Sequence, residues 1–389
     1  MKKDNKSTVL LALTTAAMIL PGISKKVDAN PLDQLTKFDF KYSLYEEGSQ
    51  PKSIYQPKAV DRYSIDVAQF KFKTPLSTTS EIGFSAVNES MSGASPWYVV
   101  QGADGKAVQI MSGATIDESR NEIGASYRNF HKDSNSETTL SAGYSTENDY
   151  RSMSLGFSGA FYVNQQLTTL EYGINASKDD IDASDADQYP NRPTNKTKDR
   201  FGLVFGASHI LTKNTLLGAS FSYAYLDGYL SDPYKLAFVA GAPVNDNRPD
   251  WNEQFALSLM LREFFPKANA ALHVDYRFYT STWNLDSGTL DLGWHQNFGD
   301  GWQIIPSLRF YDQSKAEFYS PYYDTTRADG FYSSDYRLSD FSAKSSQLKL
   351  LKTFDKLSVN LSYEKYDSSG SNPGLVNYAF YSFGISKIF

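Results

Sequence analysis

The sequence contains no cysteine. The chain therefore has no disulfide, no thiol nucleophile, no lipid-modified cysteine and no cysteine-based metal site. An absence of cysteine is typical of a protein that crosses an oxidising compartment before it folds. The sequence also lacks any run of about 18 consecutive apolar residues, which excludes a transmembrane helix.

The sequence also lacks a large excess of either sign of charge. The 389 residues carry 38 Lys and Arg against 44 Asp and Glu, a formal net charge of −6. Nothing in this slightly acidic balance argues for nucleic-acid binding, so we expect no nucleic-acid partner. With only four histidines and no cysteine, nothing in the sequence points to a cofactor.

The N-terminal segment has the pattern of a secretory signal. Lysines precede an apolar stretch at 9–20, and small residues at 27–29 precede an expected cleavage between Ala29 and Asn30. The alternative is an N-terminal membrane anchor. We interpret residues 1–29 as a removed signal peptide and residues 30–389 as a single domain.

Alternation with a period of two residues recurs along the rest of the chain, which is the pattern of β-strands. One example is Phe201, Leu203 and Phe205, with small or charged residues between them. Tyr and Phe number 27 and 25, enough for the two aromatic girdles of a transmembrane barrel. The pattern predicts 16 strands, with 14 as the alternative count. The predicted ranges are 36–45, 60–73, 79–88, 119–130, 136–146, 149–162, 166–177, 199–211, 215–226, 251–264, 269–282, 286–298, 301–313, 336–353, 356–367 and 375–389.

The connections alternate in length. Those after even-numbered strands are tight, whereas five of those after odd-numbered strands are long, at 46–59, 89–118, 178–198, 227–250 and 314–335. Transmembrane barrels have short periplasmic turns and long extracellular loops. A soluble β-sandwich, the competing all-β fold, has no reason to place its long loops at one end. We therefore predict an all-β, antiparallel, up-and-down transmembrane β-barrel.

The chain ends in an alternating apolar segment, with Tyr381, Phe383, Ile385 and Phe389 on one face. Lys387 is the exception on that face. In a barrel the last strand must pair with the first, because an unpaired edge would remain otherwise. We therefore expect this segment to close the barrel. The segment is also similar to the terminal signal read by the machinery that inserts outer-membrane barrels.

Several motifs resemble an outer-membrane family known as domain of unknown function 3570. They are the segments 90–96, 227–235, 248–249, 273–279 and 318–321, of which DGYLSDPYK at 227–235 is the most specific. The resemblance covers nearly all of the expected mature chain. It implies an outer-membrane barrel in a Gram-negative bacterium, and it brings no substrate, cofactor or catalytic residue.

The most charged interior face is predicted on the strands near 269–313. Hairpin arithmetic places Asp291 opposite Arg309, and Asp275 opposite His295. His273 and Arg277 lie beside them by alternation. This candidate lumen charge cluster is expected either to select polar solutes at a constriction or to brace the wall through satisfied ion pairs.

Other segments give weaker signals. The acidic segment 179–187 has the oxygen-rich composition that calcium favours, but no EF-hand spacing, and is expected to be a solvated loop. Serines are too many to exclude a Ser–His pair with His273 or His295. The loops 89–118 and 227–250 begin with residues that favour turns, and the first could fold into the lumen.

The sequence therefore favours a porin-like outer-membrane channel for small polar solutes. The alternatives are a non-conducting barrel that acts as a scaffold or displays its loops, and, less favoured, an outer-membrane lipid or ester hydrolase. Expected partners are outer-membrane lipid, lipopolysaccharide and the barrel-assembly machinery, and homo-oligomerisation is open. We expect no enzymatic activity and no metal.

Overall fold

The computed structural model of the protein describes residues 35–50, 61–112, 116–184, 187 and 191–389. The predicted signal peptide and its cleavage site at Ala29 and Asn30 lie outside the described residues. The described residues contain no helix long and apolar enough to cross a membrane. Sixteen strands form the barrel: β1 (Lys37–Glu47), β2 (Ser64–Pro75), β3 (Ser80–Gly93), β6 (Ile116–His131), β7 (Ser136–Thr146), β8 (Tyr150–Val163), β9 (Thr168–Ile181), β10 (Lys196–Ile210), β11 (Thr215–Gly228), β14 (Trp251–Phe265), β15 (Ala270–Ser281), β16 (Asp286–Asn297), β17 (Trp302–Gln313), β18 (Phe341–Phe354), β19 (Leu357–Gly370) and β20 (Tyr378–Ile388).

Each strand pairs antiparallel with the next in the chain, and the sheet is closed. The closing seam joins β1 to β20, with Phe40 opposite Ile385 and Tyr42 opposite Phe383. Phe389 extends the seam, because its N–H donates to the carbonyl of Thr36 at 2.9 Å. The predicted 16-stranded up-and-down barrel is therefore confirmed.

The alternation in sequence becomes an outer and an inner face. Leu155 on β8 is 69% exposed, and the neighbouring Met153 and Phe157 are exposed beside it. Ser154 and Gly156 point the other way, toward the lumen. Large apolar side chains on the outside and small or polar ones inside are the reverse of a soluble domain and are typical of a transmembrane barrel.

The connections at one end are tight. Several of them place Asn or Asp at positive φ, including Asn135 (46°), Asn269 (48°) and Asp300 (59°). Asn and Asp tolerate this left-handed conformation better than other side chains. At the opposite end lie the five predicted long loops, whose described residues are 48–50 and 61–63, 94–112, 182–184 with 187 and 191–195, 229–250, and 314–340.

Two long loops contain short hairpins that alternation did not predict. They are β4 (Pro96–Gln101) with β5 (Ala107–Met111), and β12 (Leu236–Val239) with β13 (Ala242–Asn245). The predicted strand starting at 336 begins only at Phe341, because Tyr336–Leu338 forms a 3₁₀ turn.

Two glycines mark where long loops leave the wall. Gly93 (φ +127°) ends β3, and a Cβ there would lie 2.3 Å from the carbonyl oxygen of Arg62. Gly228 (φ +104°) ends β11, and a Cβ there would lie 2.4 Å from the carbonyl oxygen of Thr197. Both backbones therefore require glycine, and this explains part of the turn-like motifs at 90–96 and 227–235.

The buried apolar clusters lie at the long-loop end, one of them on the lumen face of β1, β2 and β3 and two among the loops themselves. One contains Tyr63 and Met91, a second Phe318 and Leu338, and a third is built around Val239, all at most 7% exposed. The long loops consequently pack through cores of their own.

Substitutions on β8 test the assignment of the two faces. Leu155→Arg places a cation on the outer face and should destabilise the barrel in lipid by about 2–4 kcal/mol. Ser154→Arg, one residue away on the lumen face, should cost much less. Urea-dependent unfolding in lipid vesicles, followed by heat-modifiable gel migration, measures both. Equal losses in the two variants would contradict the face assignment.

Candidate functional site

The lumen wall from β7 to β10 is built largely of small side chains. They alternate with the exposed apolar residues and include Ser141, Gly143, Ser154, Gly156, Ser158, Gly173 and Gly202. Small residues keep the wall thin and leave interior space. This wall lines a cavity of about 660 Å³.

The six residues of the candidate lumen charge cluster lie on three adjacent strands. His273, Asp275 and Arg277 are on β15, Asp291 and His295 are on β16, and Arg309 is on β17. They alternate with exposed outward side chains such as Tyr276, Phe278 and Phe310, which places all six on the lumen face.

One predicted pairing of this cluster has the expected register and the other does not. Asp291 lies opposite Arg309, and Arg309 Nε and Nη2 donate to its two carboxylate oxygens at 2.6 and 3.2 Å. Asp275, however, lies opposite Asp291 instead of His295. The turn at 282–285, with Asn284 at φ 57°, sets the register of β15 with β16. In this register the residue opposite Asp275 is four positions earlier in the chain than predicted.

The corrected register brings two carboxylates side by side, and each has its own arginine. Arg262, which sequence reasoning missed, donates to Asp275 at 2.7 Å from the neighbouring strand β14. His295 instead stacks with His273, with ring centroids 3.8 Å apart. The guanidinium of Arg277 lies 5.7 Å from the ring centroid of Tyr279. The two carboxylates of this region are thus each paired with an arginine, whereas Arg277 contacts an aromatic ring.

A second set of ion pairs braces β3, β6 and β7. Arg128 contacts Glu81 at 3.2 Å and Glu137 at 2.6 Å, with all three side chains largely buried. Farther toward the long-loop end, Arg120 contacts Glu89 at 3.2 Å and donates to Ser145 at 2.9 Å. Bidentate and bridging guanidinium contacts fix neighbouring strands as well as satisfying buried charge.

The acidic segment 179–187 is only partly a loop. Asp179 and Asp180 belong to β9, and Asp179 faces the lumen, where it contacts Lys198 at 3.1 Å and accepts from Ser152 at 2.7 Å. Asp182 accepts from the N–H of Asn195, and Asp185 lies outside the described residues. Within the described part of the chain, no three acidic or histidine side chains form a metal-binding group.

Three long loops meet at the long-loop end of the barrel. We call residues 94–112, 229–250 and 314–340 the cap. They leave after the third, ninth and thirteenth strands of the 16-stranded order, and therefore come from well-separated parts of the rim. The loop 371–377 joins them, since Asn372 donates to Tyr319 Oη at 2.7 Å and to the Ser334 carbonyl at 3.2 Å.

Asp335 is the centre of the cap. It is 1% exposed and contacts Arg337, Arg248 at 2.9 Å and Lys235 at 3.9 Å. Burial alone would raise the pKa of Asp335, but these three cations outweigh burial and hold the pKa well below its usual range. Lys235 also donates to the carbonyl of Pro96 at 3.1 Å, so one ammonium group joins all three loops.

A buried acidic group connects the cap to the turn between β7 and β8. Burial and the adjacent Asp149 raise the pKa of Glu147 to about 8. Burial raises the pKa of Asp149 to about 7, although Tyr234 of the cap donates a hydrogen bond to this carboxyl group. The cap therefore contacts a carboxyl group, that of Asp149, whose pKa burial brings near neutral pH.

The geometry gives no support to a Ser–His nucleophile. Among the described residues, no serine hydroxyl is hydrogen-bonded to His273 or His295, and a nucleophile and its base must lie within that reach. His209 lies on the outer face and is bonded to Thr168 at 2.8 Å. His131 is bonded to Thr138 at 2.9 Å near a tight turn.

Comparisons with known proteins agree with the fold. A family model described as "Protein of unknown function (DUF3570)" matches residues 10–381. No curated protein matches the chain in sequence. Among solved structures, a bacterial polysaccharide outer membrane secretin has a TM-score of 0.51 at 9% identity, covering 92% of this chain and 99% of that one. At this identity the similarity concerns the barrel fold alone.

Two further solved structures are less similar. A deltaS2 mutant of the TodX monoaromatic hydrocarbon channel has a TM-score of 0.48 at 11% identity, covering 92% of each chain. OpdQ from Pseudomonas aeruginosa has a TM-score of 0.43 at 9% identity, covering 92% of this chain and 99% of that one.

The raised pKa values of Glu147 and Asp149 predict a pH-dependent cap. Because folding raises both values, their contribution to stability is fully present below about pH 4, where free carboxyls are protonated. It is lost as the pH rises through about 7 to 8. The free energy of cap opening should therefore fall between pH 5 and pH 9.

The change should be on the order of a few kcal/mol, and it should be much smaller in the Glu147→Gln/Asp149→Asn variant. Limited proteolysis of residues 229–250 at several pH values measures cap opening in both proteins. The same pH dependence in wild type and variant would contradict the assignment to these carboxyls.

Proposed function

Since the chain belongs to the DUF3570 family, which brings no established activity, we propose a function from the barrel itself. The protein forms a porin-like channel in the outer membrane of a Gram-negative bacterium. Small polar solutes diffuse through its lumen, and the cap controls access at the extracellular end.

The observation that carries the proposal is the composition of the lumen wall. From β7 to β10 serine and glycine are frequent along a cavity of about 660 Å³, whose lining also includes charged side chains such as Arg128, Asp179 and Lys198. A barrel of about 16 strands is wide enough for an aqueous channel unless side chains or loops fill it. Small polar side chains favour water in such an interior, and charges anchored by ion pairs do not obstruct it.

The cap supports a controlled opening instead of a permanently open mouth. Its loops meet through Asp335 and its three cations. Charged contacts of this kind exchange with water at lower cost than an apolar core would, because the separated groups can be hydrated. A cap held in part by such contacts is suited to opening and closing.

The same cap favours the second candidate, a non-conducting barrel. Apolar clusters at Phe318 and Val239 reinforce the ionic contacts, and a cap that never opens would leave a scaffold with loops presented to the exterior. Channel recordings distinguish the two functions. Hydrolysis is a third and weaker candidate, and would require ester turnover that disappears on changing His273 or His295.

The proposed location also implies partners. The apolar outer face would contact membrane lipid, with lipopolysaccharide around the long-loop end. Insertion would require the barrel-assembly machinery, which would engage the closing strand that includes Tyr381 and Phe383. The mass of the protein in detergent measures whether several barrels associate.

Removing the central anion of the cap should increase conduction. Asp335→Asn leaves Lys235, Arg248 and Arg337 without their shared carboxylate, and breaking a buried ion pair costs about 3–5 kcal/mol. In planar bilayers we expect brief, infrequent openings from wild type and at least several-fold longer openings from the variant. The single-channel current record measures both duration and frequency.

Asp329→Asn provides a matched control in the same loop. Asp329 pairs with Arg327 at 2.5 Å, and both are partly exposed, so its loss should change opening little. Channel silence from wild type and from Asp335→Asn, with normal heat-modifiable migration of both, would rule out the porin function. Equal openings in wild type and Asp335→Asn would instead show that the cap is not the barrier.

A further inference from the structure

Three lysines face the lumen beside the closing seam. Lys41 lies on β1, Lys71 on β2 and Lys349 on β18. Their neighbours in sequence, including Phe40, Phe70 and Leu348, point outward, the last two more than 40% exposed. Lys41 is opposite Gln69 and Lys71 is opposite Asp39, so Lys41 and Lys71 are diagonal neighbours on one face of the sheet.

These lysines line a cavity of about 370 Å³, within the range of about 300–1,000 Å³ for small-molecule sites. Both Lys349 and Lys71 are close enough to repel the ammonium group of Lys41, and Glu364 is close enough to attract it. Lys41 also lies 5.5 Å from the ring centroid of Phe380, which faces the same cavity. Three like charges therefore converge on one space of the interior.

Within the described residues, none of the three lysines has a carboxylate within ion-pair distance. The nearby acids have other partners: Asp39 contacts Lys37 at 3.2 Å, and Glu364 accepts from Gln347 at 3.0 Å. Most other lumen cations are compensated, as Arg309 is by Asp291 at 2.6 Å. With three lysines against Asp39 in its lining, this cavity has an excess of positive charge, whereas at β14–β17 Asp275 and Asp291 are each paired with an arginine.

Neutral hydrogen-bonding groups surround the lysines. The cavity lining includes the hydroxyls of Ser362, Ser382 and Ser386 and the amide of Asn360. A Cβ on Gly384 would lie 2.5 Å from the amide nitrogen of Asn360, so glycine at this position leaves room for the amide. Ammonium groups with hydroxyl and amide groups between them are the chemistry that recognises an oxyanion.

We propose that Lys41, Lys71 and Lys349 form a binding site in the lumen for a small multivalent oxyanion, such as a phosphate compound or a polycarboxylate. Such an anion relieves the repulsion among the three ammonium groups, and one negative charge cannot neutralise all three. The role of the site in passage rests on the channel function proposed above, whereas binding itself does not.

Isothermal titration of the folded mature barrel in detergent, with inorganic pyrophosphate at constant ionic strength, tests the site. We expect saturable binding by wild type. The Lys41→Gln/Lys71→Gln/Lys349→Gln variant should bind at least about tenfold more weakly, because most of the attraction is electrostatic. Absence of saturable binding by wild type, or equal binding by the variant, would overturn the proposal.

Lys73→Gln is the matched control. Lys73 lies on the same face of β2 but pairs with Glu81 at 3.5 Å, so its loss should leave the pyrophosphate affinity within about twofold. A tenfold loss in Lys73→Gln would show that general lumen charge, and not this site, binds the anion. If the triple variant lacks heat-modifiable migration, the single variant Lys349→Gln replaces it. We expect its affinity for pyrophosphate to be at least about threefold lower than that of wild type. Equal affinity would again overturn the proposal.

Bilayer recordings separate failure of the site from failure of the channel. Pyrophosphate binding without conductance would overturn the channel function and leave the site standing. Conductance without pyrophosphate binding would overturn the site and leave the channel function standing. If both hold, the reversal potential in a KCl gradient should shift toward cation preference in the triple variant, and an unchanged potential would contradict a role for the site in selectivity.

Discussion

A chain that crosses lipid as β-strands must pair every backbone N–H and C=O group, because no water is present to replace a missing partner. The other features of this molecule depend on that constraint. It requires the seam between β1 and β20, and closure in turn fixes an inside and an outside. Because side chains alternate along each strand, only one orientation of β8 places Leu155 and Phe157 on the outer face and Ser154 and Gly156 inside.

Closure also redistributes the usual roles of apolar and charged residues. Large apolar side chains on the wall remain exposed on the outer face, while the well-buried apolar clusters lie at the long-loop end. Charge is concentrated inside, where pairs such as Arg309 with Asp291 and Arg128 with Glu137 link neighbouring strands. The interior is therefore uneven, with a wall of small residues, a wall of paired carboxylates and a cavity with an excess of positive charge at the seam.

Strand positions were predictable because alternation is a local property. The strand expected at 149–162 is Tyr150–Val163, and the tight turns fall where expected. The register of β15 with β16 was wrong, because it depends on the conformation of a four-residue turn. The prediction placed residue 295 opposite Asp275 where the structure has residue 291. Because this difference is an even number of positions, the predicted face was still right. Arg262 was missed although it lies opposite His273 in the tight hairpin of β14 and β15, where counting from the turn would have placed it beside Asp275. Asp335 was missed because its partners include residues of another loop; Arg248 is 87 residues from Asp335, and no periodicity connects the two.

The attachment of residues 371–377 to the cap has a consequence for the order of assembly. Asn372 belongs to the last hairpin of the barrel, and it bonds to Tyr319 and Ser334, so the cap lacks part of its bonding until that hairpin is in place. The same hairpin supplies β20, the strand that closes the seam. Completion of the cap at the long-loop end is thereby linked to closure of the barrel wall. An unclosed barrel would present incompletely folded loops to any protease at that end.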